Sequence, residues 1–337
     1  MIGDYLLLLL AFALILGGAL IFTNAVEWAG HRLNMGEGAV GSLLAAVGTA
    51  MPETLIPVVA IIGGAAGSED VAIGAIIGAP FLLATIAMTV VGIAALIYKG
   101  RREQGTDLRV DASTLERDLR FFLIFFTVGI LLGIDFVPAV VQIAGAVLLL
   151  GAYVYYVYRT IRDQSDIQDS DEIKPLYVSR VLRRDDAEQP STLLIAFQFI
   201  LGLGVIVGAA ELFVEELITT AEAIGVEPIV LSLVLAPLAT ELPEKANSFF
   251  WVREGKDSLA LGNITGAMVF QSTIPISFGL IFTDWSLDAY SFISAGLGIA
   301  GGFLAYEVLH RRGHFVAPAI IAWGALYAVF PIYVIIV

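Results

Sequence analysis

Ten apolar runs separated by polar gaps organise this chain of 337 residues. They cover 5–28, 38–63, 71–98, 121–134, 138–158, 193–220, 228–252, 258–282, 289–310 and 315–337. Nine of them are about 20 residues or longer, enough for a helix to cross a hydrocarbon core. The fourth is shorter and would rise only about 21 Å as a helix, so it is expected to lean on its neighbours. The runs are continuous rather than alternating, which excludes a transmembrane barrel and predicts an all-α membrane protein.

The polar residues are not spread evenly. Of the 18 Lys and Arg residues, 17 fall in odd-numbered gaps. Arg32 is in the first, Lys99 to Arg120 in the third, Arg159 to Arg184 in the fifth, Arg253 and Lys256 in the seventh, and Arg311 and Arg312 in the ninth. The positive-inside rule then makes the odd gaps cytoplasmic and both termini external. The even gaps and the N-terminal end carry Asp4, Glu69, Asp70, Asp135, Glu222, Glu227, Asp284 and Asp288. That acidic face serves solubility or draws cations to the outer surface.

Composition agrees with a bilayer protein: 58% of residues are hydrophobic and the mean hydropathy is +0.88. A net charge of −14 argues against nucleic acid as a partner. The partners expected are the lipid bilayer and inorganic cations. There is no cysteine, so disulfides and thiol chemistry are excluded. His31, His310 and His314 sit beside arginines and read as solvated loop residues. No phosphate loop, nucleophile–base pair or histidine cluster points to an enzyme, and no cofactor is implied.

The chain repeats itself. Gly48-Thr49-Ala50-Met51-Pro52-Glu53 lies in the second run and Ala239-Thr240-Glu241-Leu242-Pro243-Glu244 in the seventh. Each is followed by a glycine-rich start to the next run, Gly74-Ala75-Ile76-Ile77-Gly78-Ala79 and Gly262-Asn263-Ile264-Thr265-Gly266-Ala267. The copies lie five helices apart, an odd number, so the expected architecture is about ten helices in two inverted-topology repeats. The first repeat is 1–160 (motif region about 38–98) and the second 193–337 (motif region about 228–282). Between them, 161–192 is an acidic cytoplasmic linker, read as disordered or regulatory.

Each motif sets a proline before a glutamate in mid-run. Proline removes a backbone donor and clashes with the carbonyl four residues back. The expectation is a broken or kinked helix with carbonyls freed near Thr49 and Thr240. Such groups are tolerated at membrane depth only against protein or a water-filled cavity. Glu53 and Glu244 beside freed carbonyls would form an all-oxygen site suited to a hard cation such as Ca²⁺. A carboxylate in hydrocarbon is costly, about 2.5–3.5 kcal/mol on insertion scales, so these two glutamates carry the functional hypothesis. Glu241 and Glu244 share a helix face, which could raise the affinity of one for a proton, or Lys245 could neutralise Glu241 at i,i+4. Glu211 and Glu215 would be mouth residues or snorkelling ones.

These motifs resemble those of the cation/calcium exchanger superfamily, whose two repeats read G-T-S-x-P-E and G-N-x-x-G-S-N-x-x-N/D. The segment Gly208-Ala209-Ala210-Glu211-Leu212-Phe213-Val214-Glu215 also resembles the lead-in to that family's second repeat. The resemblance implies that Glu53 and Glu244 bind Ca²⁺ with help from the Thr49 and Thr240 carbonyls. It implies that Asn263 and Gln271 stand at positions that help hold Na⁺, and that the first and sixth helices slide to alternate access. The sequence departs from the pattern at Ala50, Glu241, Ala79, Leu83 and Ala267, and Ala75 replaces the first asparagine. The first copy has lost side-chain oxygens for Na⁺ and the second has gained a carboxylate, so Glu241 joins the candidate ligands.

The reading that follows is a secondary-active antiporter in the plasma membrane of a prokaryotic-type cell, exporting a divalent cation, Ca²⁺ first, for Na⁺ or H⁺. The alternatives are an H⁺-coupled exchanger for another divalent cation such as Mg²⁺, or a membrane sensor or scaffold with a vestigial site.

Overall fold

The computed structural model describes residues 2–32, 45–163, 174–182 and 190–336; the side chains of 45–52 and 242–247 lie outside that description. The fold is helical. Helices α1 (Ile2–Arg32), α2 (Ala45–Gly63) and α3 (Ser68–Leu82) lead into a π-helical turn, Leu83–Ala87, and α4 (Met88–Ile97). Strand β1 (Asp107–Arg109) precedes α5 (Ala112–Leu131), α6 (Ala139–Asp163) and the short α7 (Tyr177–Val181). Then come α8 (Thr192–Ile224), α9 (Pro228–Arg253), α10 (Asp257–Gln271), α11 (Ile274–Phe282), α12 (Ala289–Arg312), β2 (His314–Val316) and α13 (Ala317–Ile336). Among the described residues, seven helical stretches are long and apolar enough to cross a membrane.

The surface is that of a protein in lipid. Leu9, Ile62, Phe136, Val140, Leu193, Ile200 and Ile335 are exposed, whereas Glu53, Asp118, Gln198, Glu241 and Gln271 are buried. A soluble domain would reverse this.

Small residues let the helices approach. A Cβ on Gly202 of α8 would lie 2.8 Å from the Phe22 backbone nitrogen of α1. A Cβ on Gly78 of α3 would lie 2.4 Å from the Leu233 carbonyl of α9. Ser232 Oγ donates to the Val71 carbonyl across the same α3–α9 seam at 2.7 Å. At both seams, α1–α8 and α3–α9, a small residue is what permits the close approach.

Contacts between gaps pair odd with odd and even with even. The third gap meets the ninth through the antiparallel β1–β2 ribbon, Leu108 opposite Phe315. It meets the seventh through Arg102, which is buried and bonds Asp257 bidentately at 2.7 and 2.8 Å. Arg32 of the first gap donates to the Pro190 carbonyl of the fifth. At the other end, the Glu69 carboxylate accepts from the Asp284 N–H and Asp135 from Ser286 Oγ.

Several expectations are corrected. The helix continues through Pro52 and through Pro243, so neither motif helix is broken. The interruptions fall in the next helices instead, at Leu83–Ala87 and at Ser272–Thr273, which separates α10 from α11. The fourth helix begins at Ala112, nine residues before the apolar run, because Asp111 caps it by accepting from the Ser113 and Thr114 N–H groups. The Thr114 hydroxyl, then the Ser113 hydroxyl and these N–H groups, hold the Asp111 carboxyl below the usual range by donating to it, against a smaller opposing effect of burial. Arg117 and Arg120 are therefore helical rather than loop residues. His31 and His310 are exposed but helical, and His314 lies in β2. The linker is structured over 174–182: Asn24 Nδ2 and Trp28 Nε1 both donate to the Lys174 carbonyl, and Gln198 Oε1 accepts from the Val178 N–H. Its acidic part, 164–173, lies outside the described residues.

Candidate cation site

The two motif helices meet inside one apolar cluster. Ile56 and Ala60 of α2 pack with Val71, Ala72 and Ala75 of α3, Phe213 and Leu217 of α8, and Ala236 and Ala239 of α9. Glu53 stands one turn from Ile56 and is 5% exposed. Thr240 and Glu241 follow Ala239 and are 3% and 1% exposed. A carboxylate from each motif copy is thus buried against helices that are otherwise apolar.

The second copy has a polar link between neighbouring helices. Gln271 ends α10, is 1% exposed, and its Nε2 donates to Glu241 Oε1 at 3.3 Å. The Thr240 hydroxyl donates to the Ala236 carbonyl at 3.2 Å, so its side chain is turned back along its own helix. Asn263 is half-buried on α10, eight residues before Gln271 and hence about 12 Å away along the axis. The structure therefore brings Glu241 and Gln271 together but sets Asn263 at another level. Thr49 lies on α2 and Glu244 on α9; their side chains, and that of Lys245, are outside the described residues.

The first copy offers no matching side-chain oxygens on α3. Ala75, Ala79 and Leu83 are buried apolar residues at the places of Asn263, Ala267 and Gln271. Both copies do lose regular helix at corresponding points. The π turn opens at Leu83, where Thr85 Oγ1 bonds the Phe81 carbonyl at 2.6 Å. In the second copy the helix stops at Gln271, Ser272 and Thr273 turn their hydroxyls to the Val269 carbonyl, and Pro275 starts the next helix. Turns of this kind redirect backbone carbonyls and recur at functional sites. Among the described residues no group of three or more acidic or histidine side chains converges.

Glu211 and Glu215 are exposed on α8, while Glu216 is the buried acid of that stretch. Sequence reasoning missed Asp118, which is 2% exposed on α5. The signal was present: Leu115, Asp118, Leu119, Phe122 and Phe126 form one helical stripe that starts upstream of the apolar run.

The profile of a family described as sodium/calcium exchanger protein matches residues 4–162 and 194–336. The candidate antiporter CaxA of Alkalimonas amylolytica is 24% identical over 281 residues, 83% of this chain and 81% of that protein. The crystal structure of the H⁺/Ca²⁺ exchanger CAX superposes with a TM-score of 0.74 at 19% identity, covering 99% of this chain and 86% of the other. A structure of the sodium-calcium exchanger NCX_Mj superposes with a TM-score of 0.60 at 21% identity, covering 97% of each chain. At these identities the two superpositions speak for the fold.

Proposed function

Because the chain belongs to the sodium/calcium exchanger protein family, we propose that it is a secondary-active antiporter exporting a divalent cation, Ca²⁺ first, by alternating access. The observation that carries this reading is the pair of buried carboxylates, Glu53 and Glu241, one from each motif copy. Buried charge at membrane depth is costly and is retained where it binds something. Glu53 and Glu244 are the charged ligands in this reading, and Thr49 and Thr240 supply carbonyls. Glu241, Gln271 and Asn263 complete the polar lining.

The same reading takes the ten apolar runs as ten spans in two inverted repeats, 1–160 and 193–337, with 161–192 as the linker. The odd gaps face the cytoplasm and both termini face out. The protein is an integral membrane protein, placed by this reading in the plasma membrane.

Proton coupling is favoured over coupling to several Na⁺. Na⁺ needs neutral oxygens, and Ala75, Ala79 and Leu83 give none from their side chains. Glu241 meanwhile adds an ionisable group beside Gln271. Selection of another divalent cation such as Mg²⁺ would leave this argument unchanged. A sensor or scaffold with a vestigial site would not transport.

The deciding experiment is uptake of radioactive calcium into proteoliposomes under separately imposed Na⁺ and H⁺ gradients. Uptake driven by the H⁺ gradient and only weakly by Na⁺ is expected. A steep, obligatory Na⁺ dependence with no response to pH would overturn the coupling, and no divalent uptake under either gradient would overturn the antiporter reading.

A further inference from the structure

Asp118 lies one turn before Phe121, where the fourth apolar run begins, and so at the basic-loop end of the molecule. Its side chain is 3% exposed and is gripped from three directions. Thr265 Oγ1 of α10 donates to Oδ2 at 2.9 Å. Tyr156 Oη of α6 donates to Oδ1 at 3.0 Å. Arg117, its neighbour on α5, reaches Oδ1 at 3.4 Å and is itself 16% exposed, so the cluster reaches the surface on that side. Thr265 belongs to the glycine-rich segment of the second motif copy, on the helix that ends in Gln271.

The other charged groups nearby are engaged elsewhere. On α12, which also packs against α5, His310 faces Glu116 at 3.3 Å and Tyr306 accepts from Arg120 at 3.1 Å. At the start of α10, Asp257 is taken by Arg102. On α6, Arg159 lies one turn beyond Tyr156 and has its own interaction. Arg117 is thus the one ionic group touching Asp118 among the described residues, at a long distance. Burial outweighs it, and lifts the Asp118 carboxyl from the ordinary range to about 6.

We propose that Asp118 is a proton-binding site on the basic-loop side, and that its protonation loosens helix α10 from α5 and α6. This rests on the antiporter reading for its functional meaning. The step is a simple one. A proton from the adjoining solution adds to a carboxylate oxygen that now accepts only. The carboxylic acid becomes a donor, so one of the two hydroxyls now donating to it must turn or part from it. The ion pair of Arg117 with Asp118 is lost at the same moment. Of the three ties, Thr265 is the one on the helix that carries Asn263 and Gln271, and its hydroxyl can turn to the Gly262 carbonyl when the acid forms. A rise in acidity on the basic-loop side is thereby felt at the candidate cation site.

The test uses the full-length protein in proteoliposomes. Infrared difference spectra are recorded while the pH is stepped between about 5 and about 7, the interval over which a group of this affinity changes charge. A carboxyl band should titrate in the wild type and be missing from Asp118→Asn, which keeps the shape of the side chain. Thr265→Val and Tyr156→Phe should each move that titration to higher pH, because each removes a donor to the ionised form. In calcium uptake, stepping the pH on the basic-loop side should change the wild-type rate about five-fold or more and the Asp118→Asn rate by less than about two-fold. A band unchanged in Asp118→Asn, or unmoved in both Thr265→Val and Tyr156→Phe, overturns the proton site. Full pH response of transport in Asp118→Asn overturns its coupling to α10. If the wild type moves no divalent cation at any pH, the antiporter reading fails, and the infrared titration still decides the proton site. Should Asp118→Asn not fold, the Thr265 and Tyr156 variants carry the test.

Discussion

Leu83 and Gln271 occupy corresponding places in the two motif copies, 188 residues apart, the same offset as Gly74 and Gly262. Both are buried, and both stand where the helix stops being regular, at a π turn in one copy and a break in the other. Their side chains differ completely. Leu83 is apolar, whereas Gln271 donates to Glu241. The backbone irregularity is therefore common to the two copies, whereas at the places of Asn263 and Gln271 the first copy has Ala75 and Leu83, without side-chain oxygen. A cation bound between the copies would take charge from both motif helices but would find its neutral oxygens unevenly placed. That asymmetry is what the proposed preference for one divalent ion over several Na⁺ ions rests on.

The largest test of this comparison removes one charge at a time. Glu53→Gln and Glu244→Gln should each lower divalent uptake by about 100-fold or more, because a direct charged ligand matters at least as much as the 10–100-fold typical of outer-shell partners. Near-normal uptake in Glu53→Gln would mean that the second copy works alone. Next, Gln271→Leu should cost about 10-fold in uptake, since a hydrogen bond to a charged group is worth about 1.5–3 kcal/mol. Leu83→Met should stay within about two-fold, as volume-conserving apolar swaps do; equal losses at both positions would erase the asymmetry.

Two smaller effects sharpen it. Gly78→Ala should destabilise the protein by about 1–3 kcal/mol in thermal inactivation assays, because the new methyl would press on the Leu233 carbonyl and Pro237. Gly266→Ala should lie within about 0.5 kcal/mol, since no described atom lies within 4 Å of its Cβ position. Finally, Glu241→Ser should shift the pH profile of uptake by about one unit and strengthen the response to Na⁺, by exchanging an ionisable group for a neutral oxygen. An unchanged profile would assign the pH response elsewhere, with Asp118 the first place to look.

Much of this arrangement is legible in the sequence because lipid leaves few options. Continuous apolar runs must be helices, and most of the described part of each is helix. The motif copies are legible because proline and glutamate are rare together at such depth. What a proline does there is less so. Pro52 and Pro243 stay within continuous helices, while the interruptions appear beside Thr85 and at Ser272 and Thr273, whose hydroxyls take over helical carbonyls. The early start of α5 is obscured by Arg117 and Arg120, which lie off its buried stripe. The docking of 174–178 on α1 and α8 cannot be read at all. Asn24, Trp28 and Gln198 bind backbone atoms there, which every sequence possesses. The β1–β2 ribbon is equally silent, since three residues carry no period.

The Arg102–Asp257 pair sets an order of assembly. The guanidinium also donates to the Val252 carbonyl, and its two closest partners lie 150 and 155 residues downstream. At synthesis rates of about 5–20 residues per second, Arg102 waits about 8–30 s for them. Phe315, which seals the ribbon beside Leu108, emerges later still. Throughout that interval the loop before α5 lacks the partners that bury its arginine, and an unpaired buried charge is not sustainable. The amino-terminal half must therefore hold this loop in water until the carboxy-terminal half arrives, and a chain cut between the halves would leave it there.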